Sequence, residues 1–424
     1  MIKFLIKGVL RDKSRSLLPV IVVALGVFLT VFMSGFLKGV FNDMTELNAR
    51  FTTGHVKIVT RAYAENADQA PNDLALLGVE EIKSQLKTDY PDMEWVERIH
   101  TGGLLDVPDE NGETRGQGQA IGTAVDLLSP GTKEIDRMNI QKSIVKGTLP
   151  TQSGEALISD EFAEKFDVAI GDEVTLFGST MNGSMMFHTF IVSGTIRFGN
   201  TLLDRGAIFM DIRDAQTALD MVDASSEILG YFPDGSYDDL AAQAIETSFN
   251  AKFSDEGDEF SPMMTRLVEE SGMADYLALA ENIGSIMVFI FIIAMSIVLW
   301  NTGLLGGLRR YSEFGVRLAL GEEKKHIYKT TIYEAIVVGI IGSSVGTLLG
   351  LALTFRMQNH GLDVSALIDN IGMMLPSVYR SVVTPSLFYI GFIPGVIATV
   401  LGSALAGFAI YKRKTAQLFH ELEV

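Results

Sequence analysis

Arg309–Gly350 reads RRYSEFGVRLALGEEKKHIYKTTIYEAIVVGIIGSSVGTLLG, a short basic segment that passes directly into an apolar one. The apolar run Ile283–Leu308 precedes it, and Ile332–Phe355 completes it. About 20 apolar residues suffice to cross a bilayer as a helix. The stretch between the two runs is amphipathic, reads as a helix and is too charged to cross. A surface helix held by a span at each end is a handle, because whatever grips it moves two transmembrane helices at once.

Working outward, two further apolar runs appear, Leu17–Phe41 and Leu387–Tyr411. The first follows MIKFLIKGVLRDKSRS, which carries five Lys/Arg against one Asp. Its apolar core is too long for a signal peptide and no A-x-A-like cleavage site follows, so it reads as an uncleaved anchor. Residues 42–282 hold 43 Asp/Glu and 17 Lys/Arg, whereas all other positions together hold 9 and 17. The basic residues gather before the first run, after the second and after the fourth. By the positive-inside rule those three places face the cytoplasm, which requires four spans, with both termini inside and residues 42–282 outside. Such an acidic external region argues against nucleic acid as a partner. With no cysteine, disulfide frameworks and thiolate metal sites are excluded.

The expected fold is therefore a polytopic α-helical membrane protein with four transmembrane helices and a large α+β domain between the first two. The segments are an amphipathic elbow helix at 1–16, spans at 17–41, 283–308, 329–355 and 387–411, and the external domain at 42–282. A cytoplasmic helix occupies 309–328, an external loop 356–386 and a tail 412–424. In the external domain, strands are expected at His55–Thr60, Thr189–Arg197 and Gly206–Phe209, and helices at Val79–Asp89, Ile212–Met221 and Tyr237–Phe253. Asp109–Gly118 reads as a turn or mobile loop and Ser254–Glu259 as a linker. Met263–Asn282 reads as a helical stalk running into the second span.

No enzymatic constellation emerges. Gly342–Gly346 fits G-x-S-x-G on paper, but that elbow needs a strand–turn–helix with a histidine in reach, and here it lies within an apolar span. Gly342, Gly346 and Gly350 instead form a small-xxx-small face for close helix packing. Pro394 removes a backbone donor from the fourth span and should kink it. No G-x-x-x-x-G-K-[ST] loop occurs, so ATP, if used, is bound by another chain. Met181, Met185, Met186 and His188 fall in one hairpin-like stretch that reads as packing or partner contact sooner than as a copper site.

The residues also carry a resemblance. Glu313-Phe314-Gly315-Val316-Arg317-Leu318-Ala319-Leu320-Gly321, then basic residues, then Tyr333-Glu334-Ala335 opening a glycine-rich span, resembles the signature of FtsX/MacB/LolC-type ABC permeases. Gly54–Ile58, Gly154–Ser159 and Ala169–Leu176 are similar to strand motifs of the MacB-like periplasmic domain. The resemblance covers nearly the whole chain, with the FtsX-like permease region at about 283–414. One departure is the C-terminus, QLFHELEV, where many members end in P-x-E-A-L-R.

The resemblance implies an inner-membrane permease subunit, not itself an enzyme, with ATP and magnesium held by a separate ATPase present in two copies. The coupling residues would be Glu313, Phe314, Gly315, Arg317, Leu318, Leu320 and Gly321. The four-span size and the absence of a fused ATPase are most like LolC/LolE lipoprotein-releasing permeases. A second permease chain, identical or different, and membrane lipids would complete the assembly, with a lipoprotein substrate and a periplasmic acceptor or adaptor outside. Phe36 and Met287 are candidate substrate-cavity positions. The alternatives are peptide or drug efflux, transmission of motion to a cell-wall hydrolase, and a receptor or scaffold with no ATPase.

Overall fold

The computed structural model describes residues 13–109, 111–198, 201–270, 311–363 and 378–412, with separate positions between 273 and 301. It divides into two compact units, one of Met1–Asp43, Ala278–Asp363 and Val378–Val424, the other of Met44–Leu277 and Val364–Ser377.

In the first unit, α1 (Lys13–Asn48) is 36 residues long. At 1.5 Å per residue it extends about 54 Å, well beyond a ~30 Å hydrocarbon layer. Its expected end at residue 41 is thus only the end of the apolar part, and a π-helical turn, Ala49–Thr53, completes it. Among the described residues three helices are long and apolar enough to cross a membrane, Leu17–Thr53, Lys324–His360 and Leu387–Leu405. The expected span Ile283–Leu308 lies largely outside the described residues, and its described positions, 285 to 301, are helical. Most of the elbow helix, Met287 and the tail beyond residue 412 also lie outside them. Around Pro394 the last span winds as a π-helix, Ile393–Ala398, because proline supplies no N–H to continue the regular ladder.

The second unit is α+β, and its described residues form twelve strands: β1 (Val56–Thr60), β2 (Leu76–Leu77), β3 (Glu94–Pro108), β4 (Thr114–Val125), β5 (Ile144–Gly147), β6 (Glu155–Ser159), β7 (Glu173–Ser179), β8 (Met185–Ile196), β9 (Ala207–Asp211), β10 (Ala224–Ser225), β11 (Glu227–Tyr231) and β12 (Pro262–Arg266). The principal helices are α2 (Val79–Asp89), α3 (Asp160–Phe166), α4 (Ile212–Ala218) and α5 (Asp239–Phe253). Strands pair in the sequence β3–β4–β9–β6–β8–β7 and back to β3, a closed six-stranded ring. Its core includes Leu105, Val174, Phe190 and Ile208, all buried. The first half of β3 leaves the ring and pairs with β11, which pairs with β1 and then β12. Here α2 and α5 contribute Leu86, Ala242 and Phe249 to a second core.

Three local expectations are corrected. The turn expected over Asp109–Gly118 ends before Thr114, because Thr114 onward already pairs with β3. Ser254–Glu259 is a compact turn, knotted by Ser261 Oγ donating to the Asp255 and Asp258 carbonyls. Met263–Arg266 is strand, running antiparallel to β1 from Val56↔Arg266 to Thr60↔Pro262. The Asn250 side chain satisfies both backbone groups of Met264, at 2.9 and 2.8 Å, which holds that segment extended.

Candidate functional site

The expected handle is a short helix, α6 (Tyr311–Ala319), followed by a tight reversal into α7 (Lys324–His360). Glycine decides where α6 stops. Gly321 has φ +91°, a region that penalises any Cβ. The Gly321 N–H donates to the Leu318 carbonyl at 3.1 Å, and the Glu322 N–H to the Arg317 carbonyl at 3.1 Å. That pair of bonds is a Schellman ending, which satisfies carbonyls the helix would otherwise orphan. The break thus falls at residues 320–323, and Lys324–Tyr328 belong to the spanning helix, earlier than the expected boundary at 328.

Arg317 locks the reversal. Its Nε donates to Glu322 Oε2 at 2.6 Å and its Nη2 to Oε1 at 2.7 Å, a bidentate fork. The Arg317 hydrogen bond, with the Arg317 charge and that of His326 adding to it, holds the Glu322 carboxyl below its usual range against a partial opposing effect of burial. The apolar side chains divide by face. Phe314 is 3% exposed, so its ring is taken up within the chain and does not present itself to a partner. Val316 and Leu320, one turn apart, are 50% and 83% exposed. Gly315 is buried and Leu318 half-buried, while the Glu313 side chain lies outside the described residues. Val316 was not among the residues expected from sequence, although its i,i+4 spacing to Leu320 was visible there.

Behind the handle, α7 carries its glycine face against α1. A Cβ on Gly342 would sit 2.6 Å from Val23, and one on Gly350 would sit 2.8 Å from Val31. Gly346 lies against the Ala24 carbonyl and Val27. The three glycines thus meet Val23, Val27 and Val31 at matching four-residue steps, and the two helices pack with backbone close to side chain. Ser344, the would-be nucleophile, is part of this continuous helix. Phe36 is half-buried on α1 and stacks on Phe32 at 6.0 Å, which itself stacks on Phe28.

In the external unit, Met185 is 80% exposed and Met186 is buried, so adjacent sulfurs point to opposite faces of β8. Cross-strand register aligns Leu104, Phe177 and Phe187 in one row over β3, β7 and β8. Leu104 and Phe187 are 45% and 71% exposed, an apolar strip on an otherwise acidic domain.

A long apolar helix leading into an α+β domain, then a short amphipathic helix followed by a glycine-faced span, defines a multi-pass membrane protein with a large domain outside its spans. Residues 16–248 match the MacB-like periplasmic core domain, and residues 285–415 match the FtsX-like permease C-terminal region. The chain belongs to the FtsX/MacB/LolC-type ABC transporter permeases, multi-pass proteins with a periplasmic domain. The periplasmic region of MacB from Actinobacillus actinomycetemcomitans is similar at 10% identity and a TM-score of 0.36, over 53% of this chain and 93% of that one. No curated protein matches the sequence.

Proposed function

We propose that this chain is the permease subunit of an inner-membrane ABC transporter powered by a separate ATPase, with a second permease chain completing a dimer. ATP binding by two ATPase copies closes them beneath the handles, and the spans carry that motion to the periplasmic domains. The work done is release of a lipoprotein or other lipid-like substrate from the outer face of the membrane. The observation that carries this reading is the handle itself: an exposed Val316/Leu320 pair on a helix whose exit angle is fixed by Gly321 and the Arg317–Glu322 fork. Apolar side chains held out of the protein in this way suit a hydrophobic docking cleft. The exposed strip of Leu104 and Phe187 supports a substrate or acceptor with apolar surface.

The test is co-purification. Val316→Asp combined with Leu320→Asp should remove the ATPase from the purified complex while leaving the chain inserted in the membrane. An ATPase recovered at wild-type stoichiometry would refute the docking assignment. For the substrate, a photocrosslinker at Phe36 should trap acyl chains in intact membranes. Adducts confined to soluble periplasmic proteins would instead support transmission of motion to a partner such as a hydrolase.

A further inference from the structure

We propose that Arg98 is the positioning residue that fastens the end of span one to the periplasmic domain, so that the helix terminus and the domain move as one body. The proposal rests on the ATP-driven reading above. It starts from a cost: Arg98, on β3, has no exposed surface, and a buried cation is tolerated only when fully paired. All three of its guanidinium nitrogens are engaged, through four of the five N–H donors. Nε donates to Glu134 Oε2 at 3.0 Å, Nη1 to the Phe51 carbonyl at 3.1 Å, and Nη2 to the Arg50 carbonyl at 2.7 Å and the Tyr231 hydroxyl at 3.0 Å. Tyr231 in turn donates to the Ala49 carbonyl at 3.2 Å.

The acceptors are what give the site meaning. Ala49, Arg50 and Phe51 are successive residues of the π-turn that closes α1. A helix C-terminus leaves carbonyls unpaired and carries partial negative charge, so a planar cation with a rigid donor fork suits it. One turn earlier the same helix is held again. Glu46 accepts from the Tyr237 N–H at 2.5 Å and from His55 Nε2 at 3.1 Å, and His55 Nδ1 accepts from the Phe232 N–H at 2.9 Å. Apolar residues of similar volume could stabilise this interior as well as an ion pair does. They could not fix the register of three consecutive carbonyls. That geometric demand points to force transmission, since a helix end that swivels in its socket would dissipate the motion delivered to it.

The absence of cysteine makes the test direct, because introduced thiols are the only ones in this chain, which is labelled before its ATPase is added. Spin labels at Arg50→Cys and Asp136→Cys, both exposed positions, report the helix end against the domain. The full chain with its ATPase is measured in nanodiscs, nucleotide-free and after vanadate trapping. Wild-type Arg98 should give one narrow distance distribution, identical in both states. Arg98→Met should broaden it about twofold and shift it on trapping, while ATP hydrolysis by the partner persists. Arg98→Lys, which keeps the charge without the fork, should fall between. A narrow, state-independent distribution in Arg98→Met overturns the proposal. If that variant fails to fold, Arg98→Lys and Tyr231→Phe take its place, and wild-type behaviour in both is equally fatal. If no ATPase co-purifies, the transporter reading fails, yet the nucleotide-free comparison still decides the fastening.

Discussion

Glu227, on β11, illustrates how single residues tie the periplasmic domain together. It is 3% exposed, and its Oε1 lies 2.9 Å from His100 Nε2. Burial opposes its charge most strongly, but His100, Lys57 and Arg98 outweigh that effect and hold the carboxyl below its usual range. A carboxyl depressed in the folded state contributes stability above its ordinary pKa and loses it as pH falls through the depressed value. Glu227→Gln should therefore lower the melting temperature of the full chain clearly at pH 7. The difference from wild type should shrink once pH drops below about 4, where the unfolded carboxyl is itself protonated. Thermal melts at a series of pH values check this, and a difference that grows on acidification would contradict it.

At the scale of elements, the glycine face of α7 makes the sharpest prediction. Gly346 lies against Val27 of α1, and even a Cβ there would come within 2.8 Å. Gly346→Leu should destabilise the detergent-solubilised chain by about 1–3 kcal/mol, the usual cost of overpacking, and an unchanged melting temperature would show that the helices do not depend on this contact. The four-residue glycine spacing was legible in the sequence, because it is local. Its partner was not, since Val23, Val27 and Val31 lie some three hundred residues upstream. The same limit explains Met263–Arg266, read as helix and found as strand. Its extended form is set by β1, far away in the chain, and by the Asn250 clamp. On α6 the pattern showed an amphipathic helix, but whether Phe314 or Val316 faced outward depended on neighbours that no periodicity names. Pro394 was the opposite case, a backbone defect legible from one residue and realised as a π-turn.

For the whole molecule, charge and connectivity act together. The chain enters the periplasmic core through β1 and leaves it through β12, and those strands are hydrogen-bonded neighbours over five residues. The strands by which the chain enters and leaves the core therefore lie side by side. The proposed coupling requires the acidic domain and the handle to stand on opposite sides of the membrane. The charge distribution, net negative in 42–282 and net positive elsewhere, predicts by the positive-inside rule that the handle lies inside. In the cysteine-free chain that orientation is directly measurable, using Gln152→Cys in the domain and Glu323→Cys at the handle, both exposed. A membrane-impermeant maleimide applied to spheroplasts should modify Gln152→Cys at once, and Glu323→Cys only after the membrane is opened. Immediate labelling of Glu323→Cys would put the handle outside and leave a cytoplasmic ATPase nothing to grip.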